Sequence, residues 1–219
     1  MLISNDCGLQ NAERGTLNSK MAGAKKISGP GLLVVLSGPS GVGKNTVVER
    51  LIKPGRARLV TATTRPPRPG ERDGVDYFFL SPDEFRRRAL EGFFLEHTET
   101  FGDMYGSPIR PVREAVGRGD VIFLVIDVKG GLRLRELGID ACYIFISPPS
   151  SEALVARLRN RATEDTKRRE VRVARAKAEL DEAKKYDHVV VNRENDVDSA
   201  VMEIEKIIGD TLEARASRR

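Results

Sequence analysis

Two segments close together in the chain carry residue types that grip phosphate. The first is Gly38-Pro39-Ser40-Gly41-Val42-Gly43-Lys44, directly after the apolar run Leu32-Leu33-Val34-Val35-Leu36. A strand that turns through glycines into a helix lets backbone N–H groups close around phosphate oxygens. The helix adds the positive end of its dipole. Gly38, Gly41 and Gly43 permit close backbone approach, and Lys44 delivers a point charge to the β- and γ-phosphates of a nucleotide. Asn45 stands where the full form of this loop carries the Ser or Thr that ligates magnesium, and Thr46 follows with a hydroxyl of its own.

The second segment is Thr63-Thr64-Arg65-Pro66-Pro67-Arg68-Pro69-Gly70-Glu71, continuing through Gly74 to Tyr77-Phe78-Phe79-Leu80. Guanidinium forks on a proline-stiffened loop match a dianionic phosphate, and a tyrosine hydroxyl fills a remaining acceptor. Taken alone, Arg65 and Arg68 are as well explained as solvated loop residues. One phosphate cradle suits a nucleotide enzyme; two suit an enzyme that moves a phosphoryl group between nucleotides.

The pattern Thr63-Thr64-Arg65-x-x-Arg68-x-x-Glu71-x-x-Gly74-x-x-Tyr77-x-Phe79 resembles the signature of the guanylate kinases at every fixed position. The likeness runs from Leu32 to about Ile208. It passes through Phe94-Leu95-Glu96, Tyr105-Gly106-Ser107, Ile126-Asp127, Ser147-Pro148-Pro149-Ser150 and Val190-Val191-Asn192. The resemblance implies ATP-dependent phosphorylation of GMP to GDP with Mg2+, with dGMP a plausible second acceptor. It implies that Arg65, Arg68, Tyr77 and Tyr105 hold the GMP phosphate. Guanine then falls to Glu96, Ser107, Thr61 and Asp127: N1–H and the exocyclic amine are adjacent donors that one carboxylate accepts together, an edge adenine lacks. Asp127 contacts either the base or, through water, magnesium. On the ATP side the resemblance implies Gly38 through Thr46, with Arg157 and Asn192. Lys44, Arg161 and Arg172 are the implied catalytic cations, the last two on a lid with Thr163 and Glu164. An arginine-rich helix is otherwise read as a solvated face. Departures from the family pattern are Asn45, Ala162 in place of glycine, Val125 and Lys129. The metal site, Asn45 and Asp127, is where they bear most.

The elements that must position these residues follow from the pattern of apolar runs. Strands are expected at Leu32–Leu36, Leu59–Ala62, Val121–Ile126, Cys142–Ile146 and His188–Val191. Helices are expected near Lys44–Ile52, Val112–Val116, Lys129–Leu137, Ser151–Arg159, Thr166–Lys185 and Asp196–Arg215. Apolar strands with helical crossovers make an α/β fold, a P-loop parallel sheet flanked by helices. Between Thr63 and Ser107 the rhythm changes to Tyr77–Leu80, a helix and Phe93–Thr100. That helix starts at Ser81, with Pro82 in its first turn and Glu84 completing a capping box. The expected organisation is a core of residues 31–62, 108–156 and 173–213, an inserted monophosphate-binding lobe at 63–107 and a mobile lid at 157–172. Disordered tails are expected at 1–30 and 214–219, and Met21 is a second candidate start.

Composition narrows the alternatives. The chain has 219 residues, enough for one α/β domain with insertions. Cys7 and Cys142 are far apart and read as reduced thiols, and with only two histidines a structural zinc site does not fit. The formal charge of +5 arises from 37 basic and 32 acidic residues spread along the chain, without the basic stripe of a nucleic-acid binder. No apolar run approaches a membrane span, and the first 30 residues lack the apolar core of a secretory signal. The expectation is a cytoplasmic monomer or homodimer with ATP and GMP as partners, no nucleic acid and no membrane. Two rivals differ in class: a non-catalytic guanylate-kinase-like module that binds phosphopeptides, and a kinase of another monophosphate or phosphorylated sugar. A working ATP cradle argues against the first, and the Glu96 and Ser107 pattern against the second.

Overall fold

The computed structural model describes residues 27–100, 102–159, 174 and 176–218. A five-stranded sheet forms the core, in the order β2 (Arg56–Arg58), β7 (Val121–Val125), β1 (Leu32–Ser37), β8 (Cys142–Ser147), β9 (His188–Val191), with every pairing parallel. β1 is buried along its whole length, as a central parallel strand covered on both faces must be. Its alternate residues enter two cores. Leu33 and Val35 pack beneath α3 (Ile109–Arg118) and α4 (Val128–Glu136), with Val112, Val116 and Leu134. Leu32, Val34 and Leu36 meet Val47, Val48 and Leu51 of α1 (Lys44–Leu51) and Ala200, Ile204 and Ile208 of α6 (Val197–Ala216). Each such valine, leucine or isoleucine contributes roughly 1.5–3 kcal/mol by leaving water.

A second, four-stranded sheet carries the inserted lobe, in the order β4 (Tyr77–Phe79), β3 (Thr61–Thr63), β6 (Asp103–Pro108), β5 (Phe94–Thr100). Its strands pair antiparallel except for β3 with β4. Phe85 of α2 (Pro82–Leu90) stacks on Phe94 at 4.6 Å between ring centroids, closing a small core with Ala62. The Ser81 hydroxyl accepts from the Glu84 amide as expected, but the Glu84 carboxylate pairs with Arg87 and Arg88 one turn on instead of completing the capping box.

Several expectations change. Of the strand expected at Leu59–Ala62, Leu59 and Val60 are instead the crossing between β2, which ends at Arg58 in the core sheet, and β3, which begins at Thr61 in the lobe sheet. β6 is a full strand where none is expected, and the lobe sheet spans residues 61–108. α3 runs from Ile109 rather than Val112, because Pro111 lies in the first turn, where amide donors have no helical partner anyway. The N-terminal boundary moves too. Ile27 is buried in the core beneath α3, and the Gly31 amide donates to the Val116 carbonyl at 2.9 Å, so packing begins before residue 31. At the other end α6 continues through Ala216, with Arg215 paired to Asp140 at 2.6 Å. Of the expected lid, α5 (Ser151–Arg159) includes residues 157–159; Arg161, Ala162, Thr163, Glu164 and Arg172 lie outside the described residues. Among the described residues no helix is long and apolar enough to cross a membrane.

Candidate active site

The glycine-rich loop leaves β1 at the C-terminal edge of the parallel sheet, the edge at which open α/β folds bind ligands. Gly38 has φ 137°, and a Cβ there would lie 2.2 Å from the Ile146 carbonyl oxygen on β8. Gly43 caps α1 in the left-handed region at φ 92° and brings no side-chain cap, which leaves the first-turn amides for an anion. The Lys44 ammonium folds back over the loop and donates to the carbonyls of Gly38 at 2.6 Å and Pro39 at 3.0 Å.

Two residues expected on the ATP side hold this loop from behind. Asn192 follows β9 and is buried; its amide nitrogen donates to the Val42 carbonyl at 2.8 Å. A Cβ on Gly43 would sit 2.6 Å from that same amide nitrogen. Arg157 of α5 donates to the Asn192 carbonyl at 3.1 Å and reaches the Val42 carbonyl at 3.4 Å. The base of the expected lid is thereby fastened to the loop.

The lobe sheet supplies the opposite wall. Glu96 and Ser107 are register partners on β5 and β6, both buried, and the Ser107 hydroxyl donates to Glu96 Oε1 at 2.6 Å. Thr61 and Tyr77 are partners across β3 and β4, and Thr63 and Tyr105 across β3 and β6. The Tyr77 and Tyr105 rings meet edge to face at 6.4 Å. Burial raises the Tyr77 phenol pKa above its ordinary value, while the positive charges of Arg58 and Arg65 pull it down. The phenol therefore keeps its proton at neutral pH and can donate to an anion.

A cavity of about 330 Å³ joins the two walls. Gly38, Ser40, Lys44 and Asn45 line one end; Thr61, Arg68, Tyr77, Glu96, Tyr105 and Ser107 line the other, with Val125 and Asp127 between the elements. Arg65 is not on this wall. Its guanidinium pairs with Glu71 at 2.9 Å, donates to the Pro66 carbonyl at 2.6 Å and lies 5.4 Å from the Tyr77 ring centre. Burial disfavours its charge, but Glu71 and Tyr105 outweigh that and raise its pKa, so it stays cationic. Glu71 also accepts from the Arg68 amide at 2.7 Å, which fixes the arginine loop at both ends.

Asp127 has a local task that its spacing did not reveal. It caps α4, accepting from the Gly130 amide at 2.8 Å, and its other oxygen accepts from the Thr100 hydroxyl at 3.3 Å. Arg58, Thr98, Thr100 and Glu179 line the cavity without having been singled out. The period-two placement of Glu96, Thr98 and Thr100 on one strand face was a readable signal. Arg58 and Glu179 had none.

A glycine-rich phosphate loop at the edge of a parallel sheet, facing a polar lobe across one cavity, defines a P-loop α/β phosphotransferase fold. The chain belongs to the guanylate kinase family: the family model described as guanylate kinase matches residues 31–211. It is 44% identical over 180 residues to a guanylate kinase of Symbiobacterium thermophilum, covering 81% of this chain and 84% of that one. It is 46% identical over 171 residues to one from Cereibacter sphaeroides, covering 76% and 81%. The crystal structure of guanylate kinase from Anaplasma phagocytophilum superposes with a TM-score of 0.66 at 32% identity, over 83% of this chain and 86% of that one.

Proposed function

We propose that this chain transfers the γ-phosphoryl group of ATP to GMP, giving ADP and GDP. One observation carries the reading: the loop lysine and the buried Glu96–Ser107 pair open onto the same cavity. An ammonium for phosphates at one end and a carboxylate for adjacent N–H donors at the other match the two substrates. Family membership and the relatives' names support the same reaction.

The residue roles follow the family pattern, supported by geometry for the residues that line the cavity. The loop from Gly38 to Thr46 receives the ATP phosphates, with Lys44 turning from its loop carbonyls to them. Arg157 and Asn192 serve that site by fixing the Val42 carbonyl. Arg68, Tyr77 and Tyr105 line the cavity and hold the GMP phosphate, and Arg65 joins them by turning from Glu71; Thr61, Glu96 and Ser107 hold guanine, the same edge that dGMP presents. Asp127 stands between the elements. The acceptor oxygen is already anionic, so no general base is needed, and catalysis is positioning plus charge neutralisation. Arg161 and Arg172 add charge when the lid closes, and closure excludes water.

The donors present fit magnesium, which takes one or two protein oxygens together with phosphate oxygens and water. Asn45 and Asp127 both line the cavity and offer such oxygens. When bound, the metal neutralises charge on the transferring phosphates.

The test is stoichiometric. With ATP, Mg2+ and GMP, chromatography of the products should show ADP and GDP formed one to one. ADP with free phosphate and no GDP would reduce the chain to an ATPase. No turnover at all would favour a binding module.

A further inference from the structure

Arg58 occupies the cavity wall although nothing in the signature segments points to it. It ends β2, and its placement follows from strand periodicity. Arg56 and Arg58 are register partners of Val121 and Phe123, whose side chains pack into the layer under α1 and α6. Arg56 accordingly reaches α6, where it meets Glu205 at 2.7 Å; that carboxylate also takes Lys53 at 3.0 Å. Arg58 lies two residues further toward the ligand edge. There it is half-buried and makes no ion pair with any described residue. Among the described residues, a carboxylate meets the first arginine of the strand and none meets the second.

Partial burial costs a guanidinium some of its hydration, and an anionic ligand beside it offsets that cost. The surroundings identify the anion. Arg58 shares the wall with Arg68 and Tyr77, and its charge is felt at the Tyr77 phenol. The opposite lobe strands carry the hydrogen-bonding pair Glu96 and Ser107, which suits a base rather than a phosphate. We propose that Arg58 is a further guanidinium of the acceptor site, binding the dianionic phosphate of the nucleoside monophosphate beside Arg68 and Tyr77. This inference rests on the GMP reading above. It makes Arg58 a residue that touches substrate, and it assigns to β2 a binding role in addition to its place at the sheet edge.

Calorimetry with GMP and with guanosine, which lacks the phosphate, tests it in wild type, Arg58→Ala and Arg58→Lys. A hydrogen-bonded charge contact corresponds to about 10- to 100-fold in affinity. Arg58→Ala should lose that factor for GMP, keep the wild-type guanosine affinity and leave KM for ATP within about two-fold. Arg58→Lys should recover part of the loss, since the charge remains but the fork does not. Unchanged GMP affinity in Arg58→Ala overturns the proposal, and so does an equal loss for GMP and guanosine. A lower KM-derived ATP affinity with intact GMP binding would place Arg58 on the donor phosphates and also overturn it. If Arg58→Ala does not fold, the GMP-to-guanosine ratio in Arg58→Lys and Arg58→Gln decides in the same way. Wild-type protein that fails to bind GMP sinks the functional reading itself, whereas wild-type binding with indifferent variants sinks only the role of Arg58.

Discussion

Ser107 donates its hydroxyl hydrogen to Glu96 across the β5–β6 pair at 2.6 Å, with both side chains buried. The hydroxyl is a lever on the carboxylate. It holds one oxygen in place, so that the group can present a fixed acceptor edge rather than rotate in the cavity.

Glu96→Gln should therefore abolish most selectivity for guanine. An amide turns a donor toward the N–H groups of the base, and sites built around such bonds discriminate by roughly 10⁴-fold or more. Steady-state kinetics should show kcat/KM for GMP falling by at least about 10²-fold, with KM for ATP little changed. Ser107→Ala keeps the Glu96 acceptor and loses its brace and one hydroxyl contact to the base, so a smaller fall of roughly ten-fold is expected. An unchanged GMP kcat/KM in Glu96→Gln would remove that residue from the site.

Asn192→Ala should act on ATP through the loop. It removes the donor to the Val42 carbonyl from a buried position and opens space beside Gly43. Loss of a buried hydrogen bond costs about 1–3 kcal/mol. A lower melting temperature together with a several-fold rise in KM for ATP, and GMP affinity kept, is the expected combination. A raised KM for GMP alone would contradict the assignment.

Asn45 offers an amide carbonyl where a hydroxyl is usual, on a longer side chain, to a metal that demands near-octahedral geometry. Substrate phosphates and waters supply the other oxygens, so activity should persist and depend on magnesium. Asn45→Ser should shift the magnesium concentration giving half-maximal rate at fixed ATP and GMP. Superimposable titrations would place residue 45 outside the metal's ligands and water shell.

Cys142 on β8 offers a test of the core. Burial pushes its thiol up to about 11, partly offset by Thr211. A raised thiol pKa means the proton is held more tightly, so at pH 8 only about one molecule in 10³ carries the thiolate. Peptide mapping after alkylation of the native protein at pH 8 should leave Cys142 unmodified, with labelling only after denaturation. Rapid native labelling would show that β8 is not sealed beneath α6.

The buried central strands were readable because β1, β7 and β8 are continuous apolar runs, and the phosphate loop because its glycines and lysine sit between strand and helix. β2 was not readable. Arg56-Ala57-Arg58 lies at a sheet edge and presents charges to α6 and the cavity, so it lacks an apolar run. β6 was hidden by Gly106 and Pro108, residues that ordinarily interrupt strands. Here Gly106 is required because a Cβ would lie 2.8–2.9 Å from the rings of Phe94 and Phe85. At the site, Glu96 and Ser107 were legible as a pair through the family pattern. The bond between Arg65 and Glu71 was not, since it needs the loop to fold back on itself.

The most direct measurement is a comparison of turnover with ATP, Mg2+ and each of GMP, AMP, CMP and UMP under one set of conditions. The account predicts rapid formation of GDP and kcat/KM for AMP, CMP and UMP lower by about 10³-fold or more, because none presents the paired donors that Glu96 and Ser107 are arranged to accept. Comparable rates with AMP and GMP would contradict it, as would turnover with another monophosphate and none with GMP.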